Sequence, residues 1–197
     1  MRVTGGILSG RTLIVPKTGV RPTQDMVRQA LFSILRERVI DARFLDLFGG
    51  AGTVGIEAWS RGAAEVVWVE EDRRIAAILK ENLQRCGIGN GRVVVADVAR
   101  VVKKGVVGGP FDIIFADPPY GAGSDGERVN PWQERLLTLV QAGGVLASGG
   151  CLVLELAARG AEHTGDGWVL ADERVYGSTV LRFFRLAEVP GDGKEAV

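Results

Sequence analysis

An Asp-Pro-Pro-Tyr run, residues 117–120, follows an apolar segment and carries residue types that could bind an amine. The Asp117 carboxylate accepts hydrogen bonds, and Pro118 and Pro119 fix the backbone while removing two N–H donors. The carbonyl groups there are held free to accept from the exocyclic amine of a base, which aims its lone pair and draws off developing charge. Tyr120 offers a face for a base taken out of its stack. The run predicts metal-free chemistry on a base amine, with a rigid turn as the alternative.

A second group of candidate site residues lies in a glycine-rich turn. The spacing Gly50-x-Gly52-x-x-Gly55 fits the nucleotide-binding fingerprint, because it follows a predicted strand and opens a predicted helix. Glycines let the backbone approach a ligand and adopt unusual φ values. Glu70 lies 21 residues after Gly49, a distance that suits an acid bound to a ribose diol. We therefore predict a nucleotide site, with a tight structural turn as the alternative.

The acidic residue Asp46 discriminates among the nucleotides that this turn could hold. A P-loop is excluded because no Lys-Ser or Lys-Thr pair follows the glycines. NAD is disfavoured because a carboxylate under the turn would repel its pyrophosphate. A ligand with a cationic amine or sulfonium is favoured, and S-adenosylmethionine has both, plus a ribose and no phosphate. Asp97, after the third predicted strand, is placed to accept from the adenine amine and can also cap a helix.

The elements that position these residues alternate between apolar strands and amphipathic helices. Predicted strands span 44–48, 65–70, 92–96, 111–116, 151–156, 169–175 and 179–186, and predicted helices span 54–61, 72–86 and 131–141. This alternation predicts an α/β fold with a mostly parallel seven-stranded sheet covered on both faces. The last two strands have no helix between them, so a hairpin makes one strand antiparallel. Ligands bind beyond the carboxyl ends of such strands, which places both motifs at one edge.

The first 43 residues form a basic arm, with eight Lys or Arg and three Asp or Glu, while the rest of the chain is acidic. Two β-type runs, 3–7 and 11–15, predict a hairpin around residues 8–10. Thr23 can cap a helix running to about Arg38, whose apolar stripe leaves Arg28, Arg36 and Arg38 near solvent. A basic arm can contact a polyanion, with a solvated surface as the alternative. The candidate phosphate-binding residues are Arg2, Arg11, Lys17, Arg21 and Arg28.

The composition excludes several classes of protein. The chain has 197 residues, 46% apolar and 24% charged, with 24 basic and 24 acidic side chains. This length predicts one main domain, and zero net charge excludes a strongly basic nucleic-acid wrapper. Cys86, Cys151 and the single His163 favour neither disulfides, nor a zinc site, nor a histidine triad. No apolar run reaches the roughly 18–20 residues of a membrane span and no signal-peptide pattern is present, so we expect a cytoplasmic protein.

With these motifs in place, the chain resembles the methyltransferases that act on amino groups of nucleic-acid bases, and in particular the RsmD family. The likeness covers about residues 1–186 and rests on segments 2–11, 21–35, 44–52, 55–63, 117–120 and 176–179. It implies a Rossmann-like class I methyltransferase fold, with an RNA-docking hairpin extension at 1–22 and the methyltransferase domain at 23–186. It also implies methylation, from S-adenosylmethionine, of guanine N2 in 16S ribosomal RNA within the small subunit or an assembly intermediate. The last residues, 187–197, are expected to form a flexible tail. We expect a monomer.

By this resemblance Asp117 and Pro118 hold the guanine amine and Tyr120 stacks on the base. The implied cofactor-binding residues are Asp46, Phe48, Gly49, Gly50, Ala51, Gly52, Glu70, Glu71, Asp97 and Thr23. The chain departs from the family at Gly50, where alanine or serine is common, and in a long glycine-rich segment, 121–130, which suggests a mobile lid. Trp132 either stacks on RNA or packs in the core. Two other functions stay open: adenine-N6 methylation of DNA or RNA, and a non-catalytic nucleotide-binding module with an RNA-docking arm.

Overall fold

A seven-stranded sheet with helices on both faces forms the body of the protein in a computed structural model, which describes residues 1–16, 23–119, 121–122, 128–129, 132–158 and 165–187. The helices are α1 (Thr23–Leu35), α2 (Thr53–Ser60), α3 (Arg73–Cys86), α4 (Val98–Lys104) and α5 (Trp132–Gly143), with a short 3-10 helix at Arg36–Val39. The strands are β1 (Arg43–Leu47), β2 (Glu65–Glu70), β3 (Arg92–Val95), β4 (Phe111–Ala116), β5 (Gly121–Ala122), β6 (Arg128–Val129), β7 (Leu146–Ala157), β8 (Trp168–Tyr176) and β9 (Thr179–Leu186). Of the helices in these ranges, none is long and apolar enough to cross a membrane.

The topology of the sheet confirms the predicted fold class. The strand order is β3-β2-β1-β4-β7-β9-β8, and β9 runs antiparallel to both of its neighbours, β7 and β8. From β1 onward, each predicted element agrees with an observed one within two residues at both ends, except that β7 begins at Leu146 rather than Cys151. Two short strands, β5 and β6, pair antiparallel within the segment 121–130. The helix α4 follows β3 directly, with Asp97 as its N-cap.

Each face of the sheet buries its own layer of apolar side chains. Side chains alternate along a strand, so Phe44 of β1 packs toward α1, α2 and α3, whereas its neighbour Leu45 packs toward α4 and α5. Because both faces are covered, the central strands are apolar at nearly every position. The most deeply buried polar exception is Asp46, a carboxyl inside β1 that is only 2% exposed.

The N-terminal segment forms a smaller hairpin than the sequence predicts. The expected strands over 3–7 and 11–15 reduce to one antiparallel bridge between Arg2 and Thr12. Backbone bonds from Val3 N to Arg11 O and from Leu13 N to Met1 O extend it slightly. Val3 and Leu13 are buried in the same apolar layer as α1, α2 and α3. The hairpin is therefore held by its side chains against the helices more than by its own strand pairing.

The first helix corrects the prediction made for Arg28. The helix α1 ends at Leu35 rather than near Arg38, and Arg36 and Arg38 are exposed as expected. Arg28, however, is only 4% exposed. Its guanidinium contacts Glu57 of α2 at 2.7 Å and Asp25 at 3.0 Å, and it donates to the carbonyl of Arg2. A buried cation needs partners of this kind, so Arg28 ties the hairpin to α2 and is not available to bind phosphate.

Candidate active site

Four strand ends line up along one edge of the sheet. Leu47 of β1 pairs with Ala116 of β4 on one side and with Val69 of β2 on the other. Glu70 of β2 pairs in turn with Val95 of β3. The candidate residues at these ends therefore lie side by side, in the strand order β3, β2, β1, β4: Asp97, Glu70, Phe48 and Asp117. The glycine turn and the Asp-Pro-Pro run thus belong to a single site.

The glycine turn after β1 packs closely against α3 at Gly52 and is open at Gly50. Gly50 and Gly52 have φ values of +54° and +85°, in the left-handed region that favours glycine. A Cβ on Gly52 would lie 3.0 Å from Leu79 of α3, whereas one on Gly50 would meet only the Phe48 carbonyl oxygen, at 3.9 Å. Phe48 has φ +63°, a strained conformation of the kind that concentrates at ligand sites. The open side at Gly50 leaves room for a ligand.

The carboxylate of Glu70 holds the glycine turn in place. One oxygen accepts from the backbone N–H of Gly50 at 2.9 Å, and the other accepts from that of Asp72 at 2.8 Å. The side chain is 8% exposed. Since each carboxylate oxygen has two acceptor sites, Glu70 keeps capacity for the ribose hydroxyls that the sequence assigns to it. The predicted cofactor residue is therefore also a structural tie between β2 and the turn.

Asp46 lies buried beneath the same turn, and its surroundings shift the pKa of its carboxyl. Its carboxyl accepts from the backbone N–H of Gly55 in α2 at 3.0 Å. Burial is the main reason why the pKa of Asp46 rises from 3.8 to about 8; the Asp117 and Glu70 carboxylates raise it further, and the Gly55 bond opposes the rise. The carboxyl is therefore mostly protonated at neutral pH. A nearby cation would favour its ionised form, so this set of acids suits an ammonium or sulfonium ligand and opposes a phosphate.

The Asp-Pro-Pro run presents its acid at the end of β4. Asp117 is half-buried, Pro118 is buried and Pro119 is exposed. The Asp117 carboxylate is close enough to Asp46 to raise the pKa of that group, which places the candidate catalytic acid beside the candidate cofactor site. Tyr120, the expected stacking residue, lies outside the described residues.

The other predicted cofactor residues differ in how far the structure places them. Asp97 is exposed, and its side chain accepts from Arg100 N at 2.8 Å, so it caps α4 as the sequence allowed. Glu71 is exposed at the end of β2. Thr23 is the first residue of α1, and its side chain lies outside the described part of the chain. Gly49 and Ala51 lie within the turn itself.

Two further residues lie at this site: Trp132, for which the sequence left RNA stacking and core packing open, and Asn82, which the sequence did not single out. Trp132, at the start of α5, meets Phe48 edge-on with ring centroids 4.9 Å apart, and the guanidinium of Arg135 lies over its ring at 4.4 Å. Trp132 therefore packs against the cofactor turn. Asn82 of α3 is fully buried and donates to the carbonyl of Ala51 at 2.9 Å. A polar residue on the apolar stripe of α3 was a signal in the sequence that a buried partner exists.

The basic residues proposed to bind RNA differ in how exposed they are. Arg2 and Arg11 are exposed on the hairpin, whereas Arg28 is enclosed by its partners. Lys17 and Arg21 lie outside the described residues. Within the described ranges, no group of three or more His, Cys, Asp or Glu is placed to hold a metal ion.

Comparison with known proteins identifies the family. The model of a family described as Conserved hypothetical protein 95 matches residues 1–185. The chain is 35% identical over 188 residues to the Ribosomal RNA small subunit methyltransferase D of Escherichia coli strain K12, covering 94% of this chain and 89% of that protein. The chain belongs to the RsmD family of methyltransferases. A second member, the protein of the same name from Haemophilus influenzae, is 28% identical over 94% of this chain and 93% of its own length.

Solved structures agree with the family and its fold. The structure of a hypothetical protein from Thermus thermophilus is 34% identical, with a TM-score of 0.75, over 93% of this chain and 98% of that one. The ribosomal protein L11 methylase of Lactobacillus delbrueckii is 14% identical, with a TM-score of 0.65, over 93% and 90% of the two chains. This second likeness shows the shared Rossmann-like methyltransferase fold alone. The resemblance stated from the sequence is therefore confirmed for family and fold.

Proposed function

We propose that this RsmD-family enzyme transfers a methyl group from S-adenosylmethionine to the N2 amine of one guanine in 16S ribosomal RNA of the small subunit. The observation that carries the proposal is the meeting of two motifs at adjacent strand ends: the acid-lined glycine turn after β1 and Asp117-Pro118 after β4. The names of the relatives from Escherichia coli and Haemophilus influenzae, both ribosomal RNA small subunit methyltransferases, support the choice of RNA.

Some residues of the chain bind the cofactor, and others balance the charges that the reaction involves. When bound, S-adenosylmethionine supplies a methyl group on positively charged sulfur. Glu70 takes the ribose, Asp97 the adenine, and the ionised Asp46 balances positive charge beneath the turn. Asp117 and the carbonyl of Pro118 accept hydrogen bonds from the guanine amine, which orients its lone pair and stabilises positive charge on the nitrogen. The proton lost from that nitrogen passes to Asp117 or to solvent.

The basic hairpin binds phosphates of the RNA at a place separate from the reacting atoms. Arg2 and Arg11 are exposed there, and the sequence adds Lys17 and Arg21 nearby. Because the net charge of the whole chain is zero, attraction of phosphates depends on local basic patches such as this one, so affinity for free RNA is modest. A folded particle that presents the guanine in place is therefore the better substrate. The enzyme acts as a monomer in the cytoplasm; the free, buried Cys86 and Cys151 suit that reducing compartment.

The proposal is tested by transfer of an isotope-labelled methyl group, followed by digestion of the RNA and nucleoside analysis. Naked 16S RNA and assembled small subunits are compared as substrates, with Asp117→Ala as the inactive variant and Asp166→Ala, at an exposed position, as the matched control. Label in N2-methylguanosine, made by the control and not by Asp117→Ala, is the expected result. Label in N6-methyladenosine would support the adenine alternative, and bound cofactor without transfer would support a binding module.

A further inference from the structure

Asn82 joins the N-terminal hairpin to the cofactor turn. Its side-chain oxygen accepts from Ile14 N at 2.8 Å, and its amide nitrogen donates to Ile14 O at 2.8 Å and to Ala51 O at 2.9 Å. The residue belongs to α3 and has no exposed surface. One amide thus pairs with the backbone of Ile14 and, at the same time, fixes a carbonyl of the glycine turn.

The position of these bonds gives them a consequence for the ligand. Ala51 stands between Gly50 and Gly52, whose left-handed backbone shapes the open side of the turn. A glycine-rich turn has many accessible conformations, and a bond to its middle carbonyl reduces them before a ligand arrives. Ile14 directly follows Leu13, whose side chain anchors the hairpin in the core. The side chain of Asn82 therefore connects the backbone of the hairpin at Ile14 directly to the turn.

A second tie runs in parallel on the other side of the turn. Thr4 of the hairpin hydrogen-bonds Glu57 of α2 through both its backbone N–H and its hydroxyl. The helix α2 starts at the turn, so the hairpin is connected to the turn through Asn82 and to the helix that follows the turn through Glu57. This tie holds the hairpin on the enzyme when the Asn82 bonds are removed, which makes the role of Asn82 separable from that of the hairpin as a whole.

We propose that Asn82 is a positioning residue that holds the turn in its cofactor-binding shape and transmits the docking of RNA on the hairpin to cofactor affinity. The transmission rests on the proposed function of the hairpin, whereas the effect on the turn does not. By linkage, RNA and cofactor must then raise each other's affinity by the same factor. Coupling between two sites of this kind is typically at least about fivefold.

The test measures the dissociation constant of S-adenosylhomocysteine by calorimetry, with and without saturating small subunits, for the full-length protein. Asn82→Ala removes all three bonds, and Asn82→Asp keeps the acceptor for Ile14 N while removing the amide donors to Ile14 O and Ala51 O. Val39→Ala is the matched control, because Val39 is buried in the same apolar layer but lies in the 3-10 helix, outside both the hairpin and the turn. Thermal midpoints of all variants are recorded so that affinity changes can be compared at similar loss of stability.

The expected result separates the variants. Both Asn82 substitutions weaken S-adenosylhomocysteine binding about tenfold without RNA, the effect of one buried hydrogen bond, and the factor by which subunits tighten binding falls toward one. Val39→Ala lowers the thermal midpoint but keeps nearly wild-type affinity. The proposal is overturned if Asn82→Ala and Asn82→Asp bind the ligand as the wild type does, or if Val39→Ala weakens binding equally. If the wild type fails to bind subunits, RNA docking is wrong, and the affinities without RNA still decide the role of Asn82 at the turn.

Discussion

Replacing Asp46 by asparagine should abolish a proton release that accompanies cofactor binding. Burial raises the pKa of Asp46 to about 8, so at pH 7 the protonated form outnumbers the ionised form roughly tenfold. A cationic ligand selects the ionised form, and binding therefore expels nearly one proton. In the limit where only the ionised form binds, affinity rises roughly tenfold from pH 6 to 7 and about fivefold from pH 7 to 8.

The assay is titration calorimetry with S-adenosylmethionine at pH 7 in buffers of different ionisation enthalpy, which counts the protons released. The ligand's own amine has a pKa of about 7.7–8.0, and any proton that it takes up appears equally in Asp46→Asn. The wild type should release close to one proton more than the variant. Equal proton release and the same pH dependence of affinity in both proteins would refute the assignment of Asp46 to the ligand's charge.

The same carboxyl predicts how stability depends on pH. Its folded-state pKa lies above the ordinary value of 3.8, so its stabilising contribution is complete at low pH and is lost as the pH rises toward 8. Between pH 5 and 8, the free energy of unfolding of the wild type should therefore fall by up to about 4 kcal/mol relative to that of Asp46→Asn, which has no carboxyl to titrate at this position. Urea titrations at several pH values measure this difference, and a constant difference would contradict the pKa.

The positions and contacts of four side chains lead to further predictions. Asp117→Ala should lower the single-turnover rate at least about 100-fold with cofactor affinity retained; an unchanged rate would exclude the role of Asp117. Arg11→Ala should reduce the salt dependence of RNA binding by roughly 0.7–0.9 in log–log slope. Arg28→Ala should instead lower stability in urea, because it removes one of the two arginine partners of the buried Glu57; since Arg61 remains, the loss should stay below the roughly 3–5 kcal/mol of a fully broken buried pair. The reverse pattern would reinstate Arg28 as an RNA contact. Burial alone would raise the pKa of Glu57, but hydrogen bonds from Thr4, Arg61 and Arg28 lower it below 4.5. The ionised carboxylate therefore stabilises the fold above that pH, and this stabilisation is lost at more acidic values. Glu57→Gln should remove this acid sensitivity in thermal melts, and an unaltered acid transition would contradict the assignment.

The sequence predicted the sheet well because its central strands are buried on both faces. The runs at β2, β4 and β9 are mostly apolar and are bounded by polar turns, so their limits could be read directly. The start of β7 was missed because Gly149 and Gly150 interrupt its first half. The convergence of Asp117 with the glycine turn followed from topology alone, since parallel neighbours end at the same edge.

What the sequence could not supply are pairings between distant side chains. Arg28 was predicted to be exposed because an arginine on a surface helix normally is, and its partner Glu57 lies 29 residues away on another helix. Asn82 breaks the apolar stripe of α3, but its partner Ile14 is 68 residues distant. The hairpin strands were overestimated because alternating side chains predict strand pairing, whereas here the apolar ones mainly anchor the segment to the helices.

The central claim is that Asp117 directs a methyl group to guanine N2 of small-subunit ribosomal RNA. Mass spectrometry of 16S RNA from a strain lacking this protein, complemented with the wild type or with Asp117→Ala, tests it most directly. One guanine should lose a single methyl group in the deletion strain, regain it with the wild type and stay unmethylated with Asp117→Ala. Unchanged 16S RNA in the deletion strain, or loss of a methyl group from an adenine instead, would contradict the claim.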